Sequence, residues 1–291
     1  MPKNIQIAKS AGFCYGVKKA VETAKQLKID NPNNKIYILG ALIHNALVTQ
    51  ELEDLGIFTV DELPTNEQNA ICIIRSHGET PERIEEIKNA GFEIVDLTCP
   101  DVKKVQQKAI NLASENYYVV IIGKENHPEV IAIKANALQI TDKVLVINNK
   151  EEVAPHKESL KAHKKIGVVI QTTQTINNVQ EIINELVPLA KELKLENTIC
   201  PSTSNRQKET VELAKNNDLV IVVGSKTSAN TTHLAHICTP ITKTIHVETE
   251  EELDKFKNLI NDAQNIAVTA GASTPQNLIE KVIKKIEKEN I

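Results

Sequence analysis

The stretch "SAGFCYGVKKAVETA", residues 10–24, sets one cysteine, Cys14, between a short strand-like run and a segment with helical periodicity. Two further stretches share this make-up: "CPDVKKVQQKA" opens at Cys99 and "CPSTSNRQKETVELA" opens at Cys200. Each leads to an apolar strand ending on a glycine: "IYILGALIHNA" at Gly40, "YVVIIGKENHPE" at Gly123 and "LVIVVGSKTSAN" at Gly224. A third element closes each copy. "AICIIRSHGETPERIEEI", "IGVVIQTTQTINNVQEII" and "NIAVTAGASTPQNLIEKVI" read as strands followed by Thr80, Thr175 or Thr274, placed to cap the next helix. In two of the three, proline takes the first helical position, where its missing N–H does no harm. The chain therefore reads as three copies of a unit close to 97 residues long, one third of its 291. Modules bounded at 1–92, 93–194 and 195–291 hold one such cysteine each.

Short continuous apolar strands alternating with amphipathic helices predict small, mostly parallel sheets covered by helices, an α/β fold. In open α/β sheets ligands sit beyond the carboxyl ends of the strands, and every motif above lies at such an end. Three pseudo-equivalent modules around a threefold axis are expected to point those ends at one central cavity.

Composition limits the function classes. Lys and Arg number 34 against 38 Asp and Glu, a net charge of -4, which gives no bias toward nucleic acid or an anionic membrane. No apolar run approaches the ~18 residues a membrane span requires. Strand-like "NIQIA" begins at Asn4, so no cleaved presequence is expected and the cytoplasm is the expected compartment. Five scattered cysteines do not form the dense, even framework of a small secreted scaffold.

Cys72 in "AICIIRS" and Cys238 in "AHICTP" sit in apolar runs and read as small buried hydrophobes. Cys14, Cys99 and Cys200 recur at one strand-to-helix junction, where a helix N-terminus favours the thiolate, and they read as metal ligands. Three thiolates without a local C-x-x-C pair suit one polynuclear cluster better than structural zinc, and a four-iron cluster on three cysteines keeps one iron for substrate. Four residues after the repeat glycines come His44, His127 and Ser228; the loops of the third elements supply His77, Thr172, Thr173 and Ser273. These groups offer hydrogen bonds and optional positive charge, which suits phosphate oxygens. Glu129 in "HPE" is a carboxyl that a dry cavity keeps protonated for delivery.

Taken in order, "AGFCYGVKKA", "GALIHN", "RSHGETP", "DLTCPDVKKV", "NHPEV", "QTTQT", "TICPSTSNRQ", "GSKTSAN" and "TAGAST" resemble the 4-hydroxy-3-methylbut-2-enyl diphosphate reductases of the methylerythritol phosphate route to isoprenoids. The resemblance runs from residue 10 to about 280. It implies a reductive dehydroxylation giving isopentenyl or dimethylallyl diphosphate. It implies one 4Fe-4S cluster on Cys14, Cys99 and Cys200, with Glu129 as proton source and Thr172 and His127 ordering the substrate hydroxyl. The diphosphate is then expected at His44, His77, Ser228, Asn230, Ser273 and the main-chain N–H of Ala229, with His127 at its edge. Ferredoxin or flavodoxin is the implied electron donor to a monomeric enzyme. The chain departs from the family pattern at Ala229, where a second serine is common, and after Glu129, where "VIAIKANA" lacks the usual Gly-Thr. Two other readings stand beside this one: a quinolinate synthase-like dehydrating enzyme, and a cluster-bearing redox sensor, for which no basic recognition helix is found.

Overall fold

The computed structural model describes residues 3–65, 67 and 69–288. In chain order its strands are β1 (Asn4–Ile7), β2 (Ile36–Leu39), β3 (Ile57–Val60), β4 (Ile71–Ile74), β5 (Glu93–Asp96), β6 (Tyr118–Ile122), β7 (Val144–Ile147), β8 (Lys165–Ile170), β9 (Glu192–Leu195), β10 (Leu219–Val223), β11 (Lys243–Val247) and β12 (Asn265–Ala270). The helices are α1 (Tyr15–Asp30), α2 (Ala46–Asp54), α3 (Pro81–Asn89), α4 (Pro100–Ser114), α5 (Pro128–Leu138), α6 (Lys157–His163), α7 (Ile176–Leu186), α8 (Pro201–Asn216), α9 (Ala229–Cys238), α10 (Lys257–Asp262) and α11 (Gln276–Lys288). Among the described residues no helix is long and apolar enough to cross a membrane.

The expected small sheets are present as three four-stranded sheets, ordered β3-β2-β4-β5, β7-β6-β8-β9 and β11-β10-β12-β1. Every ladder among the described residues is parallel. The three orders are one pattern repeated, with β1 standing where a strand after β12 would stand. The run before each cysteine is thus an edge strand: β1 precedes Cys14, β5 precedes Cys99 and β9 precedes Cys200. Each pairs with the last inner strand of the sheet before it in this cyclic order. The chain falls into two compact units. One comprises Met1–Lys19, Ile43–Glu51 and Pro201–Ile291 and holds the sheet containing β1; the other comprises Ala20–Leu42 and Leu52–Cys200 and holds the other two sheets.

The inner strands are continuously apolar because both faces are covered. In the first unit Leu219, Ile221, Val223, Ile266 and Val268 pack with Leu278, Ile279, Val282 and Ile286 of α11. On the other face Val220, Val222 and Ala267 pack with Leu213 and Ala214 of α8 and with Leu234 and Cys238 of α9. In the second unit Val120, Ile122, Val168 and Ile170 meet Val179, Ile182 and Leu186 of α7. The reverse face, Val119, Ile121 and Val169, meets Val105, Ala109 and Leu112 of α4 and Val130, Ile133 and Ala137 of α5. Edge strands β5 and β9 instead bury only their middle residues partly and carry Glu93, Asp96, Glu192 and Lys194, which discourages further pairing.

Two of the three expected threonine caps form. Thr80 Oγ1 accepts the N–H of Arg83 at 3.2 Å and Thr175 Oγ1 accepts that of Asn178 at 3.4 Å. Thr274 differs: it is fully buried and its hydroxyl donates to the Val223 carbonyl at 3.0 Å. The fully buried hydroxyl needs an acceptor of its own, and the Val223 carbonyl, which also accepts the Gly271 N–H, supplies one where water cannot reach.

Candidate active site

The repeat has a main-chain counterpart at the cysteines. Cys99 N–H donates to the Ser76 carbonyl at 2.9 Å, Cys200 N–H to the Thr172 carbonyl at 3.1 Å, and Cys14 N–H to the Ala272 carbonyl at 3.1 Å. The acceptors are the residues just before His77, Thr173 and Ser273. In every copy a cysteine at a helix start is therefore tied to the loop that carries a polar donor. A helix begins at the residue after each cysteine, so each lies at the end of a helix where main-chain N–H groups point outward. In the first copy Val17 N–H faces Cys14 Sγ at 3.5 Å.

No disulfide joins any of the described cysteines, and the five sort by environment. Cys14, Cys99 and Cys200 are half-buried, whereas Cys72 and Cys238 are fully buried. Burial pushes the Cys72 thiol up to about 11 and the Cys238 thiol up to about 12. These two are core fillers. The other three have the chemistry of soft-metal ligands.

The repeat glycines also have a shared cause. A Cβ at Gly40 would lie 2.6 Å from Arg75 Nη1, one at Gly123 2.8 Å from Gln171 Oε1, and one at Gly224 2.2 Å from Thr274 Oγ1. Each glycine makes room for a side chain that follows the neighbouring inner strand, and Gly40 and Gly224 also hold positive φ.

In the second unit, Glu129 in the first turn of α5 is 1% exposed. Its Oε1 accepts the Thr172 N–H at 2.7 Å and its Oε2 accepts the Thr172 hydroxyl at 2.8 Å. Burial pushes its pKa up to about 7, although both Thr172 bonds oppose the shift. The carboxyl is therefore close to half protonated at neutral pH. His127 caps the same helix, its Nδ1 accepting the Glu129 N–H at 3.2 Å, which in the neutral ring puts the proton on Nε2. The His77 ring meets the His127 ring edge to face, 5.4 Å between centroids. Gln171, 1% exposed, accepts the Lys124 N–H at 3.1 Å and donates to Thr173 Oγ1 at 3.1 Å. Sequence reasoning did not single it out, although it opens "QTTQT".

In the first unit, the loop "GSKTSAN" leads into α9. Ser228 is the N-cap, yet its side chain makes no capping hydrogen bond. Asn230 is 4% exposed, and both its Oδ1 and Nδ2 are buried with no hydrogen-bond partner. Leaving a buried amide unsatisfied costs about 1–3 kcal/mol, so this arrangement fits a ligand that supplies the partner. Ala229 is 7% exposed beside it, at the first helical position, where a main-chain N–H has no partner within the helix. Ser273, also buried, donates through its hydroxyl to the His44 carbonyl at 3.2 Å and accepts Asn45 Nδ2 on its own carbonyl at 3.0 Å. Asn45 in turn caps α2, its Oδ1 accepting the N–H groups of Leu47 and Val48. An asparagine directly before a helical run was the available signal for that role. Donors at a helix start, with an amide awaiting a partner, fit an anion.

Comparison with known proteins agrees with this geometry. A family model described as LytB protein matches residues 5–287. A 4-hydroxy-3-methylbut-2-enyl diphosphate reductase of Aquifex aeolicus is 38% identical over 285 residues, 98% of this chain and 96% of its own. One from Clostridium perfringens (strain SM101 / Type A) is 40% identical over 290 residues, 99% of each. A solved (E)-4-hydroxy-3-methyl-but-2-enyl diphosphate reductase, described as the terminal enzyme of the non-mevalonate pathway, is similar with a TM-score of 0.72 at 37% identity, covering 98% of this chain and 99% of that one. The Plasmodium falciparum E-1-hydroxy-2-methyl-but-2-enyl-4-diphosphate reductase reaches a TM-score of 0.89 at 28% identity, over 98% and 88%. With its cysteine junctions, its buried carboxyl and its full-length likeness to these proteins, the chain belongs to the LytB protein family.

Proposed function

We propose that this chain reductively dehydroxylates 4-hydroxy-3-methylbut-2-enyl diphosphate to isopentenyl and dimethylallyl diphosphate, the last step of the methylerythritol phosphate route. The allylic C–O bond breaks, two electrons and one proton enter the carbon skeleton, and the oxygen leaves as water with a second proton. The repeated hydrogen bond from a cysteine amide to a donor-bearing loop carries this reading, because it ties each soft ligand to a polar binding loop.

A 4Fe-4S cluster on Cys14, Cys99 and Cys200 is the proposed cofactor. When bound, it supplies electrons and one iron with an open coordination position. Glu129 is the proton donor, since a carboxyl with a pKa of about 7 exists in both forms near neutral pH. The Thr172 hydroxyl donates to one carboxyl oxygen of Glu129, and Thr172 and His127, whose Nδ1 accepts the Glu129 N–H, are the groups assigned to ordering the substrate hydroxyl. The diphosphate is assigned to His44, His77, Ser228, the Ala229 N–H, Asn230 and Ser273, with His127 at its edge. Support comes from the buried Asn230 amide, whose Nδ2 and Oδ1 have no hydrogen-bond partner among the described residues and whose N–H groups could donate to phosphate oxygens. Ferredoxin or flavodoxin serves as electron donor to a monomeric, cytoplasmic enzyme. The modules 1–92, 93–194 and 195–291 are retained as repeat units, since three consecutive strands (β2–β4, β6–β8 and β10–β12) fall inside each.

Anaerobic purification with iron and sulfide analysis, followed by addition of the allylic diphosphate and a chemical reductant, tests the proposal. Iron, sulfide and both isomeric products are expected. Turnover by iron-free protein would overthrow it.

A further inference from the structure

Position six after the repeat cysteine differs among the copies. It is Ala20 in the first, Val105 in the second and Arg206 in the third, and all three are at most 2% exposed. Two copies fill this buried place with an apolar side chain, so the fold of a module does not require a guanidinium there. Burying a permanent charge is costly unless it is hydrogen-bonded, and two of the N–H groups of Arg206 donate to main-chain carbonyls. Nη1 donates to Ala270 O at 2.7 Å and Nη2 donates to Gly12 O at 3.0 Å.

Those two carbonyls belong to different functional segments. Gly12 lies two residues before Cys14, and Ala270 ends β12, three residues before Ser273. One turn further along α8, Glu209 hydrogen-bonds the Cys14 segment and interacts electrostatically with Arg206. Its Oε1 accepts the Lys9 N–H at 2.7 Å, and its Oε2 accepts the Ser10 N–H at 2.9 Å together with the Ser10 hydroxyl. The carboxyl is held below its ordinary range; burial works against ionisation, and the bonds from Ser10 and Lys9 prevail.

We infer that Arg206 is a positioning residue that couples the cluster ligand Cys14 to the anion-binding loop at Ser273, and that Glu209 positions the Cys14 segment only. This rests on the cluster and diphosphate assignments of the proposed function. Through α8, which starts one residue after Cys200, a single helix thereby holds the segments of a second cysteine and of a phosphate donor. Substrate binding at the loop and ligation at the cysteine then depend on one buried side chain.

The test compares cluster-loaded wild type, Arg206→Leu, Arg206→Lys and Glu209→Gln well below the Tm of each. Two quantities are read: the rate of iron loss to a chelator, and the affinity for inorganic diphosphate. Because partners behind a metal ligand typically change affinity ~10–100-fold, Arg206→Leu is expected to lose iron at least ~10-fold faster. It should also bind diphosphate about tenfold more weakly, the scale of a lost charge-assisted hydrogen bond. Arg206→Lys, which keeps the charge and part of the donor set, should give intermediate values for both. Glu209→Gln should accelerate iron loss while diphosphate affinity stays within about twofold, because it leaves the Ala270 bond intact. A general loss of folding would move both readouts in Glu209→Gln as well, and that result, or wild-type behaviour of Arg206→Leu in both assays, overturns the inference. If Arg206→Leu does not fold, Arg206→Lys decides: wild-type iron retention and affinity in that variant refute the coupling. A wild type that holds no iron, or ignores diphosphate, refutes instead the proposed cluster and diphosphate sites.

Discussion

Replacing Glu129 by glutamine separates the cost of a buried charge from its use. In the folded chain the carboxyl titrates at about 7 instead of 4.5, because burial disfavours the anion. The folded state therefore binds more protons than the unfolded chain between those two values. Stability contributed by the protonated group is fully present below pH 4.5 and declines as the pH rises to about 7. At ~1.36 kcal/mol per pH unit the decline amounts to about 3 kcal/mol. Glutamine carries no charge at any pH, and its amide can keep both Thr172 contacts if the hydroxyl reverses its role. Cluster-free wild type and Glu129→Gln should thus differ little at pH 5, and the variant should gain on the wild type by pH 8. With roughly 2 °C per kcal/mol for a chain of this size, the gap in Tm followed by circular dichroism should widen by about 6 °C between these pH values. The cluster-loaded variant should meanwhile turn over on the order of 100-fold more slowly with unchanged iron content. A Tm gap that stays constant from pH 5 to pH 8 would refute the elevated pKa. Normal turnover would refute the proton-donor role.

Serine at 14, 99 or 200 should abolish stable iron binding, whereas Cys72→Ser and Cys238→Ser should retain iron and lose about 1–3 kcal/mol of stability, since each buries a hydroxyl in an apolar core; iron analysis and thermal melts check both. Asn230→Ala should raise the Tm of the ligand-free protein by removing an unsatisfied amide, yet weaken inorganic diphosphate binding by roughly tenfold in calorimetric titration. Ala229→Ser should change substrate affinity by less than about threefold, because the proposed contact there is the main-chain N–H. Gly271→Ala should destabilise by ~1–3 kcal/mol in thermal melts, because its Cβ would lie 1.9 Å from Thr231 Oγ1.

The sequence by itself determined much of this protein. Apolar runs between amphipathic segments could bury themselves only in helix-covered parallel sheets, and the recurrence of Cys14, Cys99 and Cys200 at one junction exposed the threefold repeat. The same recurrence separated these cysteines from Cys72 and Cys238, whose apolar neighbours mark them as core. Local chemistry sufficed there, because periodicity and capping act over a few residues. What only the tertiary structure decided involves partners far apart in the chain. Nothing near Asn4 states that β1 pairs with β12, since a parallel edge accepts any strand of matching pattern, and the choice is made by which sheet lacks one. Thr274 read as a cap like Thr80 and Thr175, until the buried carbonyl of Val223 claimed its hydroxyl. The pKa of Glu129 depends on how completely α5 and the Thr172 loop exclude water, which no motif encodes. Arg206 carries no local signal in the sequence, because its partners are two carbonyls 194 and 64 residues away that only folding brings to it.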